Sequence, residues 1–323
     1  QIQANLIELQ PYEEYDTNNK HLPLWSGTII AATPTEETSQ ITIPRFDGFR
    51  DRLFSKFQLI NAANHNSLTS PHYVDDLSQI SARQFEFQWP KSIKGLSLCS
   101  DIEDAKKLGV KYVITNVIIP SVIDWNNPNP NETWEVDGQK IAINTNYIQQ
   151  LDQEFKQYYA AGINVTIVML NVNFKKPDPA NPWINPYTDL VNAPFFTAFN
   201  VEDSRGILYY RAALEYLANR YSLPDGKYGW ISGFIVGNEV QAHWVWYNIG
   251  KMALDKFIDH YHRCLRITEL AVRKYSATQR VYVSMQHNWN SIFSTPLESF
   301  KGNDFLEQLN TQSKQTGDFG WNI

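Results

Sequence analysis

The sequence predicts an α/β protein, a (β/α)8 TIM-type barrel preceded by a small N-terminal β-rich segment. Three observations carry this reading. From about residue 92, short apolar, β-branched runs alternate with amphipathic helical patterns, the order that builds a parallel sheet covered by helices. The runs are apolar at successive positions, as expected of strands buried on both faces. The loops that follow the runs are long and chemically unusual while those before them are short, which fits a barrel working at its C-terminal face. An open doubly wound sheet competes, but no GxGxxG follows the first run and no GxxxxGK[ST] occurs anywhere.

The elements follow in order. "GLSLC" (95–99) reads as the first strand. Ser100 then starts a helix with Glu103 three residues on, a capping-box pattern, and Gly109 suits the position just past its end. "KYVITNVII" (111–119) is the second strand. The Pro- and Asn-rich loop "PSVIDWNNPNPNETWEVDGQ" leads to a helix with Tyr147, Ile148, Leu151, Phe155 and Tyr158 on one side, ending at Gly162. "NVTIVMLN" (164–171) is the third strand, and the long loop "FKKPDPANPWINPYTDLVNAPFF" joins it to the helix "ILYYRAALEYLANRY". "WISGFIV" (230–236) is the fourth strand. A helix over 251–274 carries Leu254, Phe257, Ile258, Tyr261, Cys264, Leu265 and Thr268 on one face. "RVYVSM" is a fifth strand, "FLEQLN" a short helix, and "DFGWNI" a sixth strand. About six β/α units are thus visible in residues 91–323, short of the eight of a closed barrel. Residues 1–90 differ: "LPLWSGTIIAATP", "SQITIPRF" and "RLFSKFQLINA" are short β-like pieces broken by Pro, Gly, Asn and Asp, read as a small antiparallel layer beside the barrel.

Composition narrows the function. The 323 residues are 43% hydrophobic and 14% aromatic, a globular mix with room for a sizeable core. A net charge of -6 disfavours nucleic-acid or anionic-membrane partners, which need a basic face. No apolar run approaches the length of a membrane span. The two cysteines, Cys99 and Cys264, have no metal or redox spacing and read as packing residues. The seven histidines show no HExxH, there is no GxSxG, and no metal or other cofactor is expected.

The chemistry gathers in "GFIVGNEVQAHWVWYNIG" (233–250), where a strand end delivers Glu239 into a patch of aromatics. Aromatic surroundings solvate a carboxylate poorly, which favours its protonated form. A protonated carboxyl can hand its proton to a leaving oxygen, the task of the acid in glycoside hydrolysis. Glu239 is therefore the candidate catalytic residue; its bland alternative is a helix cap or a partner for an Arg. Trp125, Trp134, Trp183, Trp244, Trp246 and Trp289 fall in the loops that follow strands. On one face they would form a platform for sugars, which are apolar on one side and hydroxylated at the rim; otherwise they pin long loops to the barrel. Asn116 in the second strand, Asn171 closing the third, His243 four residues after Glu239, and His287 and Trp289 in "QHNW" are further hydrogen-bonding or stacking groups for the same mouth. For each His the alternative is loop packing.

The pair Asn238-Glu239 in "GFIVGNEV" resembles the fourth-strand signature of the clan A retaining (β/α)8 glycoside hydrolases. The resemblance implies that Glu239 is the general acid/base and that Asn238 hydrogen-bonds a sugar hydroxyl. "RFDGFRDRLFSKF" together with "GNEV...W" is similar to a bacterial family of unknown function grouped with glycosidase-like barrels, over about residue 25 to the end. The implied activity is retaining hydrolysis of an oligo- or polysaccharide, the implied partner a carbohydrate, and the implied location periplasmic or secreted. Retention requires a second carboxylate ~5 to 5.5 Å from the first. The resemblance implies a Glu at the end of strand seven, which the six visible strands do not reach, so the expectation is that the nucleophile lies beyond residue 323. Within residues 1–323, Asp124 and Glu132 in the loop after the second strand are possible second carboxylates, though nothing in their spacing selects them. Without a second carboxylate, a non-catalytic carbohydrate-binding barrel is the alternative.

Overall fold

The computed structural model describes residues 1–19, 21–29, 40–80, 83–84 and 89–323. The N-terminal part holds β1 (Ile2–Leu9), β2 (Trp25–Ile29), β3 (Phe46–Asp47), β4 (Arg50–Asp51) and β5 (Lys56–Asn61). β1 lies between β2 and β5, antiparallel to both, and β3 pairs with β4. Ala4, Ile7 and Leu9 of β1 are buried. Glu8 is held by the guanidiniums of Arg50 and Arg52 and by the Ser55 hydroxyl, so the charged residues of this layer tie β1 to the turn before β5. "SQITIPRF" was expected to be β-like; the structure has irregular backbone at 40–45, where Pro44 lacks a ladder donor, and residues 30–39 of the two adjoining pieces lie outside the described residues.

The rest is a mixed α/β structure around a parallel sheet. Its elements are β6 (Gly95–Ser97), α1 (Ile102–Lys107), β7 (Tyr112–Ile118), β8 (Thr133–Val136), β9 (Gln139–Ala142), α2 (Thr145–Ala160), β10 (Asn164–Val172), β11 (Phe196–Thr197), α3 (Ser204–Arg220), β12 (Ile231–Val236), α4 (His243–Trp246), α5 (Leu254–Arg273), β13 (Arg280–Val283) and α6 (Gly302–Thr316). The spatial order β13-β12-β10-β7-β6 is parallel throughout, with β11 added antiparallel to β10. At the far edge Asn322 bridges Tyr282 in parallel, so "DFGWNI" begins a strand position beside β13.

Register assigns the two faces. Val117, Met169, Val236 and Val283 form one row across the sheet, and all are buried in the core that the helices cover. Asn116, Val168, Ile235 and Tyr282 form a row on the opposite face. There Ile114 and Asn116 of β7 are exposed, and β6 is exposed throughout. Burial on both faces, expected from the apolar runs, therefore fails for β6, which is exposed throughout, and for β7, of which only the helix side is covered.

Local signals explain most boundaries. α1 begins one residue later than expected, capped by the Asp101 carboxylate accepting from the Asp104 amide, and α2 is capped by Asn144 and α3 by Asp203 in the same way. Gly109 and Gly162 end their helices at positive φ. The helix expected over 305–310 runs from Gly302 to Thr316.

The loop after β7 contains the hairpin β8–β9, turned by Asp137 and Gly138 at φ 49° and 77°, the geometry Asp-Gly provides. The hairpin does not rise over the strand ends. It lies along α3, where Trp134 packs edge-on to Tyr216 and Tyr275. At its tip Asp137 takes both terminal nitrogens of Arg211, at 2.6 and 3.0 Å, and that buried guanidinium stacks 3.7 Å over the Phe54 ring. Hairpin, α3 and N-terminal segment thus meet at one buried cation. Asp137→Asn keeps the turn geometry and removes the charge. It should destabilise the fold by about 2 kcal/mol, because a buried guanidinium loses its bidentate partner. The readout is a lower urea midpoint at unchanged slope; an unchanged midpoint would mean that Glu215 alone neutralises Arg211.

Candidate functional site

β12 delivers Glu239 through a sharp turn. Gly237 has φ 73° and packs against Tyr247, leaving no room for a side chain: a Cβ there would lie 2.6 Å from the ring. Glu239 is itself left-handed, at φ 42° and ψ 49°, a conformation that costs a non-glycine residue energy and persists only when its surroundings hold it. They do so from the residue that follows β13. The Glu239 amide donates to Ser284 Oγ at 3.0 Å, and the Val240 amide donates to the Ser284 carbonyl at 3.1 Å. Two residues on, Gln241 exchanges amide hydrogen bonds with Gln286: Nε2 donates to the Gln286 carbonyl at 2.6 Å and Oε1 accepts its N–H at 2.9 Å. Asn238 and Glu239 are part-buried.

A buried cluster backs this turn. The Tyr261 hydroxyl donates to the Val236 carbonyl at 2.7 Å. Tyr247 sits behind Gly237, with its hydroxyl 3.2 Å from both His260 Nε2 and Cys264 Sγ. His260 Nδ1 lies 2.6 Å from Glu202, which also accepts from Arg263 at 2.9 Å. Burial opposes charge on both partners, but their contacts outweigh it: His260, beside Cys264 and Glu202, is held up at about 9, and Glu202, beside His260 and Arg263, is held down at about 2. The short His260–Glu202 contact fixes the wall against which the β12 turn rests.

The loops after β10, β12 and β13 interlock at the C-terminal end of the sheet. Asn248 accepts the Asp189 amide on its side chain, and its carbonyl accepts from Thr188 Oγ1. The Trp244 amide donates to the Glu298 carbonyl, and the Phe300 amide to the Gln241 carbonyl. Trp246 stacks on Phe195 at 5.2 Å and 13° between planes, and Phe195 is 56% exposed. Trp244 is part-buried with Lys251 Nζ 5.6 Å from its ring, Trp289 is 49% exposed, and His287 is exposed.

Two expected mouth residues are corrected. His243 is fully buried, its ring stacked between Phe257 and Phe300 at 5.0 and 5.1 Å. It points into the core because its helix α4 packs that side on α5. Asn171 is buried too, donating from Nδ2 to the carbonyls of Trp183 and Ala198, so it staples the loop after β10 rather than facing the mouth. Asn116 lies within β7, on the exposed face. Trp183 and Trp134 pin loops. Glu132 accepts the Tyr216 hydroxyl at 2.8 Å in the hairpin on α3, and Asp124 accepts from Asn127 Nδ2. Ser284 and the Gln241–Gln286 pair escaped sequence reasoning, since nothing in a single chain shows which loops touch.

The family model for DUF5722, a family of unknown function, matches residues 86–323. The chain belongs to that family. No curated protein matches it. Among solved structures, the DUF5722 chain is similar to a Thermotoga maritima family 1 glycoside hydrolase complexed with a cyclophellitol analogue transition state mimic, at 12% identity and TM-score 0.36. It is also similar to the exo-beta-1,4-mannosidase Op5Man5 from Opitutaceae bacterium strain TAV5, at 13% identity and TM-score 0.35. The matches cover 67% and 63% of this chain, but only 41% and 30% of those chains.

Burial holds the His243 ring down to about 3. The unfolded chain protonates this residue near pH 6.5, while the folded protein resists until about pH 3. The stability His243 contributes as a neutral ring is therefore full above pH 6.5 and is lost as pH falls through that window. His243→Phe keeps the stack and removes the proton site. Between pH 7 and 5 the wild type should lose about 2 kcal/mol more than the variant, read by urea titrations at both pH values. Equal losses would contradict the neutral buried ring.

Proposed function

We propose that this DUF5722 chain is a glycoside hydrolase acting on an oligo- or polysaccharide by a retaining two-carboxylate mechanism, its parallel sheet forming part of a (β/α) barrel. Glu239 is the general acid/base. Asn238 hydrogen-bonds a sugar hydroxyl, and Trp244, Trp246, Trp289 and His287 line the subsites. The observation that carries the reading is the placement of Glu239: a strained turn at the end of β12, clamped to Ser284, within loops that also hold the exposed Phe195 stacked on the part-buried Trp246.

In this mechanism the Glu239 carboxyl gives its proton to the glycosidic oxygen as the bond to the anomeric carbon breaks. A second carboxylate takes the anomeric carbon, and Glu239, now ionised, accepts the proton of the water that releases the sugar. The clamp on its amide restricts where that carboxyl can go, which is the positioning such a step requires. The reading carries a periplasmic or secreted location with it, since polymeric glycans are met outside the cytoplasm.

The second reading is a carbohydrate-binding protein without catalysis. It is favoured by the engagement of Glu132 with Tyr216, which removes one of the two in-chain candidates for the second carboxylate.

Reducing-sugar release and calorimetric binding on a panel of β-linked glycans separate the two. Glu239→Gln should lower turnover by about 10²- to 10⁴-fold with affinity unchanged, and Trp246→Ala should weaken binding about tenfold. Unchanged turnover in Glu239→Gln would remove that residue from the mechanism. Saturable binding with no release by the wild type would establish the second reading.

A further inference from the structure

We propose that the site around Glu239 takes a linear glycan laid across the strand ends, with sugar rings stacked on aromatics on both sides of the bond that is cut, so that the chain is cleaved at internal bonds rather than from its end. The inference rests on the glycosidase reading and names its substrate class, a linear polysaccharide.

The strand order places the acid between two aromatic surfaces. Glu239 follows β12, and β12 lies between β10 and β13, each about 4.8 Å away, as neighbouring strands are. Past the end of β10 the chain returns as β11, whose register sets Phe196 against Val172, the last residue of β10. Phe195 therefore stands beyond the C-terminal end of β10, its half-exposed ring stacked on Trp246. On the other side, the chain leaving β13 passes Ser284 and Gln286, which hold the Glu239 turn, and then reaches Trp289 and Phe293, each half-exposed.

Each surface is carried by a loop that the site holds still. The Phe196 carbonyl accepts the Asn248 amide at 2.9 Å, and Asn173 Nδ2 donates to the carbonyls of Leu190 and Ala193. The Trp289 carbonyl accepts the Asn303 amide at 3.1 Å, and its ring packs on the start of α6, where a Cβ on Gly302 would lie 3.1 Å from it. Asn248 and Gln241 belong to the loop that begins with Glu239, so both surfaces are fixed relative to the acid. Two surfaces at a fixed separation favour a ligand whose units are linked, because the second contact becomes intramolecular. Taking sugars one at a time from a chain end requires one side of the bond to be closed off. Here each side offers a ring on which the apolar face of a sugar can stack.

The test is calorimetric titration of Glu239→Gln with cello-, manno- and xylo-oligosaccharides from disaccharide to hexasaccharide, together with product analysis of the wild type, which needs no variant to fold. In the series that binds, the hexasaccharide should bind at least about tenfold tighter than the disaccharide. Phe195→Ala and Trp289→Ala, both at half-exposed positions, should each weaken the hexasaccharide about tenfold. The wild type should cut the hexasaccharide at inner bonds and lower the viscosity of the matching polysaccharide before reducing ends accumulate. Equal affinity for disaccharide and hexasaccharide, an effect of only one of the two variants, or release of single sugars from one end would overturn the inference. If short glycosides are then still cut by the wild type and not by Glu239→Gln, the glycosidase reading stands without it. Length-dependent binding that needs both rings, with no cleavage by the wild type, would overturn the glycosidase reading and internal cleavage with it. No binding in any of the three series would overturn both.

Discussion

The fold depends on α5 being buried almost all the way round. A helix with one apolar stripe normally leaves its other face to water. Here His262, Arg263, Arg266 and Glu269 on the polar side are buried as fully as Phe257, Tyr261 and Leu265 on the apolar side. Charges removed from water must find partners, and a partner outside α5 fixes another part of the chain. Arg263 binds Glu202 ahead of α3. Arg266 donates to the Gly317 carbonyl and lies between the rings of Tyr73 and Phe319, at 5.1 and 5.0 Å. Glu269 accepts from Arg273. The N-terminal layer, the end of α6 and the loop before α3 are thus held in place by the polar side of one helix.

The apolar side of the same helix sets the geometry of the β12 turn. Tyr261 holds the last carbonyl of β12, and Cys264 and His260 hold Tyr247 against Gly237. Phe257 stacks on His243 and so anchors the short helix that carries Trp244 and Trp246. A change at the N-terminal layer and a change at the turn therefore act on opposite sides of a single rigid element. This is how a loop residue can be kept in a left-handed conformation: the backbone on one side is tied to β13 and the wall on the other is packed solid.

What could be read from the sequence follows from what each signal measures. Periodicity reports which residues want to leave water, and it located the strands and the apolar stripe of α5. Turn chemistry reports local backbone needs, so Gly109 and Gly162 end their helices where expected; the Asp137-Gly138 signal for a hairpin is equally present but sits inside a loop rich in Pro and Asn. Neither signal reports what lies opposite. Nothing within α5 shows that its polar side is covered, because the cover comes from residues far along the chain, Tyr73, Glu202 and Phe319. His243 and Asn171 read as mouth residues because strand-end position was the available guide, whereas their orientation is decided by Phe257, Phe300 and the carbonyls of Trp183 and Ala198.

The same reasoning separates the aromatic residues. A Trp in a loop after a strand either packs the loop down, as Trp134 and Trp183 do, or keeps open surface. The hairpin after β7 is fastened at its tip by Asp137 and along its length by Trp134, so that tryptophan is consumed by packing. The loops after β10, β12 and β13 are fastened by amide and carbonyl contacts through Asn248, Gln241 and Ser284. With backbone and amide groups bearing the attachment, Phe195, Trp246 and Trp289 keep open surface. An aromatic left open while its loop is held rigid by other groups loses little conformational freedom when a ligand stacks on it, which is the condition for a binding surface rather than a structural pin.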